Sequence, residues 1–198
     1  MANKPYIAIN WNSIEDMLDK LTWEKLTEQF WLDTRIPLSN DLDDWRTLSK
    51  AEQDMLGKVF GGLTLLDTLQ SQDGIAAMKE DMRTQHEEAV LNNIQFMESV
   101  HAKSYSSIFS TLNTKAEIED IFNWTNSNEF IQRKASLIND IYKSGNQLDQ
   151  KAASVLLESF LFYQHVPRIC RFHLFHILSM LLLMALLLMY MFSFLFLY

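Results

Sequence analysis

Turn-forming residues are scarce in this chain, which has three prolines and five glycines among its 198 residues. Alternating runs of valine or isoleucine, the pattern typical of half-buried strands, are missing as well. A chain of this length can still enclose a sizeable core in one domain, so helices must build it. We therefore expect an all-α fold in which long helices with short connections form a bundle.

Helix-capping patterns set the limits of the predicted helices. Ser49 with Glu52 forms a capping box that opens a helix running to about Gly74, and Thr114 with Glu117 opens a shorter one. The other three predicted helices are Gln85 to Leu112, Ser127 to Tyr142, which the sequence KSGN ends, and Asp149 to Phe162.

Charge and cysteine content exclude several classes of function. The formal net charge is -8 and the pI about 5.1, and neither a cluster of basic residues nor a glycine-rich phosphate loop occurs, so we expect no nucleic-acid partner. The single cysteine, Cys170, rules out an internal disulfide. The N-terminal sequence MANKPYIAIN lacks the apolar core of a signal peptide. These features predict a cytoplasmic protein.

The composition changes abruptly after Tyr163. Residues 164–198, which we call the apolar segment, contain no Asp, Glu, Lys, Gly or Asn, and the last acidic residue of the chain is Glu158. The stretch from Ile177 to Tyr198 carries no formal charge and is long enough to cross a bilayer. We therefore divide the chain into a folded domain, residues 1–163, and the apolar segment.

The sequence MESVHAKSY, residues 97–105, combines a carboxylate, an imidazole and a phenol. On a helix the spacings of three and four residues place Glu98, His101 and Tyr105 on one face. Helical bundles that bind two metals use Glu-x-x-His because positions i and i+3 project inward together. Taken alone, the motif often occurs by chance, and a lone tyrosine is more typical of a core or an interface.

Two further carboxylates interrupt apolar helical runs, Asp67 in GGLTLLDTLQ and Glu158 in ASVLLESFLFY. A buried, unpaired carboxylate is costly, so such residues usually find a cation, a metal or a hydrogen-bond network. Asp67 could instead cap a helix or pair with a lysine, and Glu158 could lie at a subunit interface. The conjunction of both with the Glu98–His101 pair favours a metal site, and this oxygen-rich set suits Mn or Fe.

Several segments closely resemble the small (beta) subunit of class Ib ribonucleotide reductase. They are FGGLTLLDTLQ, NNIQFMESVHAKSYSSIFSTL, LLESFLFY and, near the N-terminus, FWLDTRIPLSND at residues 30–41. The resemblance covers residue 1 to about 163 and implies a ferritin-like helical fold. It also implies a dimanganese or diiron centre beside a tyrosine that is oxidised to a stable radical. In that family the radical passes to a large subunit and starts the reduction of ribonucleotides to deoxyribonucleotides, the precursors for DNA replication.

The resemblance also implies roles for individual residues and partners. The metal ligands it implies are Asp67, Glu98, His101 and Glu158. Tyr105 resembles the radical tyrosine, and Trp31 resembles the tryptophan that begins the radical-transfer route, although a tryptophan in an amphipathic segment is usually a core residue. The implied cofactor is two Mn or two Fe ions, with Mn favoured. The implied partners are the large (alpha) subunit, a second copy in a homodimer, and a flavodoxin-like activating protein.

The chain departs from the family in the apolar segment. The family has a second D/E-E-x-x-H motif after the LLESFLFY helix, which supplies one more Glu and one more His to the metals. Here no acidic residue follows Glu158, and His173 and His176 are spaced by three without a carboxylate. The family's C-terminal docking tail is missing too. With four of six protein ligands, the chain as given is expected to be inactive as a reductase subunit.

Three explanations of the apolar segment remain open. A shifted reading frame after Tyr163 is favoured, and it would make the chain a truncated, non-catalytic relative. A tail-anchored helical membrane protein ranks second, with Arg168 and Arg171 on the N-terminal side of the apolar run, although a soluble cytosolic enzyme has no evident use for an anchor. A buried helix is third, because apolar residues on all its faces would need complete covering.

Overall fold

The computed structural model describes residues 6–158, and all regular structure within that range is helical. The helices are α1 (Met17–Glu28), α2 (Leu42–Thr47), α3 (Lys50–Leu69), α4 (Ile75–Met78), α5 (Gln85–Leu112), α6 (Lys115–Ser127), α7 (Glu129–Ser144) and α8 (Gln147–Leu156). A π-helical turn, Gln70–Gly74, joins α3 to α4, and 3-10 turns occupy Asp33–Arg35, Leu38–Asp41 and Lys79–Asp81. The expected all-α fold is confirmed.

The two longest helices, α3 and α5, form the centre of the bundle. α5 packs against α3 on one side and α1 on another, while α6 and α7 cover the remaining side of α3. α6 comes close to α3 at Gly61, where a Cβ atom would collide with the side chains of Thr125 and Ile121. The apolar core between α3 and α5 includes Leu56, Phe60, Leu63, Leu91, Ile94 and Phe109.

The capping patterns located the central helices correctly. Both capping boxes form, at Ser49 with Glu52 and at Thr114 with Glu117. α5 has the predicted limits. α3 ends at Leu69, before the predicted Gly74, because the helix widens into the π turn.

Two predicted helix starts are displaced by asparagine caps. α7 begins at Glu129 rather than Ser127, because the Asn128 side chain accepts a hydrogen bond from the backbone N–H of Ile131. α8 begins before Asp149, because Asn146 caps its first turn by accepting from the Asp149 N–H.

Part of the sequence-based interpretation lies outside the described residues. This applies to Phe162, the predicted end of the last helix, and to the border between residues 1–163 and the apolar segment, so the division of the chain into two parts stays a prediction. Within residues 6–158, no helix is long and apolar enough to cross a membrane.

Candidate metal centre

Two adjacent helices bring three of the predicted ligands together. Asp67 lies in the last turn of α3, while Glu98 and His101 lie on successive turns of α5, and all three are buried. Their possible donor atoms lie within 4.8 Å of one another. His101 Nδ1 is 3.1 Å from Glu98 Oε2 and 4.0 Å from Asp67 Oδ2. The predicted cluster is therefore a real grouping of side chains in the interior.

Glu158 and Tyr105 face the same interior region. Glu158 lies two residues beyond the end of α8 and is 2% exposed, and its carboxyl contributes to the raised pKa of both Asp67 and Tyr105. Tyr105 is fully buried one turn beyond His101, with its ring centroid 6.1 Å from that of Phe60. The structure thus places the predicted radical tyrosine beside the carboxylates.

Burial controls the charges of this cluster. Burial, followed by the neighbouring carboxyls, raises the pKa of Asp67 and of Glu158 well above the ordinary range. Burial raises the pKa of Glu98 to about 8 and lowers the pKa of His101 to about 3. In the metal-free protein the imidazole is therefore neutral, which is the form that binds metals, and the carboxyls retain protons.

The cluster has more hydrogen-bonding capacity than the described residues satisfy. Within residues 6–158, no hydrogen bond reaches either carboxyl oxygen of Asp67 or Glu158, Oε1 of Glu98, or Nε2 of His101. Buried polar atoms are normally paired, so this many unpaired atoms at one interior position is unusual. A divalent cation would bind such oxygen and nitrogen donors, and carboxylate with imidazole suits Mn or Fe. The residues present fit a metal centre.

Trp31 is packed directly against the cluster. It is buried, and its ring stacks on that of His101 with centroids 5.9 Å apart and planes inclined by 21°. Among the described residues its Nε1 has no hydrogen-bond partner. Trp31 is thus a core residue that also contacts a candidate ligand.

An ion pair between buried Asp33 and exposed Lys103, which we did not predict from the sequence, holds the Trp31 segment on α5. Asp33 Oδ2 accepts hydrogen bonds from Lys103 Nζ and Ser107 Oγ, both at 2.5 Å. Burial raises the pKa of Asp33, but these two hydrogen bonds, the charge of Lys103 and the Thr34 backbone N–H together lower it by more, so that its pKa lies below the ordinary value. Local patterns could not reveal the pair, because its members are 70 residues apart in the sequence.

Changing Asp33 to Asn should lower the free energy of unfolding at pH 7 by about 1 kcal/mol, since Lys103 is mostly exposed and its ion pair is screened by water and salt. The depressed pKa means that the carboxylate stabilises the fold above its unfolded pKa of about 3.9 and loses that effect as the pH falls through the lower folded value. Urea unfolding at pH 7 and at low pH measures both effects. Asp43→Asn, which removes an exposed pair with Arg46, is the control, and equal losses in the two variants would contradict the assignment.

Comparison with known proteins identifies the family. The sequence model described as "Ribonucleotide reductase, small chain" matches residues 8–182, and so includes part of the apolar segment. Ribonucleoside-diphosphate reductase subunit beta nrdF1 of Mycobacterium tuberculosis is 58% identical over 156 residues, which are 79% of this chain and 48% of that protein. Ribonucleoside-diphosphate reductase 2 subunit beta of Escherichia coli is 52% identical over the same share of this chain and 49% of its own length. The chain therefore spans about half the length of these curated relatives.

Solved structures agree with this result. The dimanganese(II)-NrdF structure of Streptococcus sanguinis has 60% sequence identity and a TM-score of 0.93, covering 96% of this chain and 69% of that one. The ribonucleotide reductase R2 subunit of Clostridium botulinum has 21% sequence identity and a TM-score of 0.81, and the match covers 91% of this chain and 62% of the Clostridium chain. At this low identity the match shows only that the two folds are alike. Both likenesses bear out the ferritin-like helical architecture. With a family match that spans most of its length and relatives more than half identical to it, this chain belongs to the ribonucleotide reductase small-chain family.

Proposed function

We propose that this chain represents the radical-generating beta subunit of a class Ib ribonucleoside-diphosphate reductase, with its metal centre built on Asp67, Glu98, His101 and Glu158. The observation that carries the proposal is the set of unpaired, buried oxygen and nitrogen atoms on these four side chains. It is supported by relatives named as beta subunits of this reductase at 58% and 52% identity.

The four side chains would hold the metal, and two Mn ions are favoured over two Fe ions. Carboxylate and imidazole donors accept either metal, so the preference comes from the 60% identical Streptococcus sanguinis protein, which is described as a dimanganese(II) form. When bound, the metal centre supplies the oxidising power that removes an electron from a nearby tyrosine.

Tyr105 would be the side chain that is oxidised. Burial and the neighbouring carboxyls raise its pKa, so the phenol keeps its proton until the electron leaves. The Oη proton would then go to an adjacent carboxylate, and Asp67 is the proposed acceptor, since both side chains are fully buried in the same region of the interior. Phe60, whose buried ring lies beside that of Tyr105, and Phe109, which packs against Phe60, would exclude water that could quench the radical.

Trp31 would start the route by which the radical leaves. Its stacking on His101 places an oxidisable ring against a candidate ligand. The proposed receiver is the large (alpha) subunit, with the small subunit acting as a homodimer and a flavodoxin-like protein supplying oxidant for the Mn form. The cytoplasm remains the proposed location.

A second candidate function is that of a truncated, non-catalytic relative. The sequence has no acidic residue after Glu158, so this chain offers four ligand side chains where the family uses six. A dinuclear site needs carboxylates to bridge and neutralise two ions. For the chain as given we expect one weakly bound metal or none, no stable radical and no turnover.

The two candidates are separated by comparing this chain with a completed version. In the completed version, the residues after Tyr163 are replaced by those that follow the same position in the Mycobacterium tuberculosis relative. Both proteins are loaded with Mn and an oxidant, and metal content and deoxyribonucleotide formation with the large subunit are measured. We expect two metals and turnover only in the completed version, with both lost when His101 is changed to Ala.

Either proposal can fail in this experiment. A completed version that binds no metal would refute the assignment of the site. Turnover by the chain as given, dependent on His101, would refute its predicted inactivity and would mean that residues of the apolar segment, such as His173 or His176, complete the site.

A further inference from the structure

A second buried polar cluster adjoins the candidate metal centre. Gln70, Tyr142 and Ser154 are each at most 2% exposed. The Tyr142 hydroxyl donates to Gln70 Oε1 at 2.5 Å, and Gln70 Nε2 donates to Ser154 Oγ. We call this arrangement the Gln70 bridge. It joins the π-helical turn to α7 and α8 and uses both ends of one amide.

The bridge lies about one turn from two candidate ligands. Gln70 follows Asp67 by three residues, and Ser154 precedes Glu158 by four, so each shares a helical face with its ligand. The contact between Gln70 and Ser154 therefore joins the helix that carries Asp67 to the helix that carries Glu158. The carboxyl of Glu158 also contributes, after burial itself, to the raised pKa of Tyr142, which is consistent with this proximity.

The local backbone is shaped to admit the bridge. At Gly74, the end of the π turn, a Cβ atom would lie 2.6 Å from Gln70 Oε1 and 2.8 Å from the Tyr142 ring. Only a residue without a side chain lets the phenol reach the amide here. α7 and α8 are joined again where Gln150 Nε2 donates to the Tyr142 carbonyl at 2.9 Å. Single π turns of this kind are frequent at functional sites.

We propose that Gln70 is a positioning residue whose amide, held between Tyr142 and Ser154, sets the separation of the Asp67 and Glu158 carboxylates and thereby the metal affinity of the centre. The inference rests on the proposed function for its metal. An apolar contact would hold the helices together as well, but it would leave their spacing free to adjust. A buried amide with both ends bonded allows one arrangement, because any slip leaves polar groups unpaired.

The test compares variants that break the bridge with one that only weakens packing, all made in the version completed after Tyr163, which serves as the parent. Tyr142→Phe removes the donor and keeps the ring, and Gln70→Leu removes both contacts. Ile138→Val is the control, because Ile138 is buried on α7 in the same apolar cluster as Tyr142 and makes no side-chain hydrogen bond. Mn(II) affinity is measured by electron paramagnetic resonance of free Mn(II), and stability by urea unfolding without metal. We expect the two bridge variants to bind Mn(II) about 10- to 100-fold more weakly and the control to bind as the parent does.

A readout without metal separates failure of this proposal from failure of the proposed function. In crystal structures of the metal-free parent and the Gln70→Leu variant, the separation of the Asp67 and Glu158 carboxylates should differ by more than about 0.5 Å, the tolerance of a working site. An unchanged separation would overturn the role of Gln70, as would Mn(II) affinities that are unaltered or that fall equally in Ile138→Val. If the parent binds no Mn(II), the proposed function fails, and the separation alone then decides whether Gln70 positions the two carboxylates.

Discussion

Tyr105→Phe, made in the version completed after Tyr163, should retain its full metal content and lose the tyrosyl radical entirely. The phenolic oxygen is the oxidisable group, whereas Phe keeps the shape of a ring that is fully buried beside Phe60. Metal content per chain and electron paramagnetic resonance measure the two outcomes separately. Tyr6→Phe is the matched control, because Tyr6 is fully exposed and its loss should change neither value.

Two results would contradict this assignment. A tyrosyl signal that persists without Tyr105 would move the radical to another residue, such as Tyr142 or Tyr163. Loss of the metal together with the radical would show that the phenol is needed to assemble the metal centre. The experiment would then give no support to Tyr105 as the residue that is oxidised.

Asp67→Asn should make the metal-free protein more stable while nearly abolishing metal binding. Asp67 is fully buried, neither of its oxygens has a hydrogen bond among the described residues, and the carboxyls of Glu98 and Glu158 are close enough to raise its pKa. An amide of the same shape removes the cost of burying an acid in this environment, and we expect a gain of about 1–3 kcal/mol. This gain in stability should come with a loss of metal affinity, because an amide oxygen is a weaker metal ligand than a carboxylate.

The pH dependence of this gain has a definite sign. A carboxyl whose pKa is raised on folding binds its proton more tightly in the native state, so the metal-free fold loses stability as the pH rises through the unfolded pKa toward the folded one. For Glu98 the folded value is about 8, so the loss continues to that pH. Because folding raises the pKa of Asp67 itself, the advantage of Asp67→Asn should be small near pH 4 and should grow as the pH rises above that value.

Urea unfolding of the metal-free chain at several pH values checks this prediction. Asp41→Asn provides a control for the loss of a buried acid away from the metal centre. A destabilised Asp67→Asn protein at pH 8 would show that the carboxylate has a partner that compensates for its burial. The inference that the buried Asp67 carboxyl destabilises the metal-free protein would then be wrong.

Sequence reasoning worked best where the signal is local. The limits of α5 and the capping boxes at Ser49 and Thr114 depend on residues within one turn of each other, so pattern alone located them. The burial of Asp67 and Glu158 followed from a charge interrupting an apolar run. The metal site shared with Glu98 and His101 was predicted from the conjunction of these residues and strengthened by the family resemblance, because helix periodicity cannot say which helices meet.

The features that the sequence did not reveal depend on contacts between distant segments. The π turn replaces regular helix where Gly74 lets Tyr142 approach Gln70. No local sequence pattern predicts this contact between distant residues. The ion pair of Asp33 with Lys103 joins an N-terminal turn to the middle of α5. The first helix, α1, was not predicted either, although Asp16 caps it by accepting from the Leu18 N–H, because its apolar face is weakly marked.

The order of the ligands along the chain has a consequence for biosynthesis. Asp67 lies near the end of α3, and Glu158 is separated from it by all of α4 to α8. A nascent polypeptide can bring Asp67, Glu98 and His101 together once α5 has packed on α3. It lacks the Glu158 carboxylate until its last described helix has docked, so a partly made chain should bind metal more weakly. Contacts so distant in sequence form late in folding, and metal capture then stabilises only the finished structure. If the proposed function holds, an oxidising centre would therefore form only in a protein whose core is already closed.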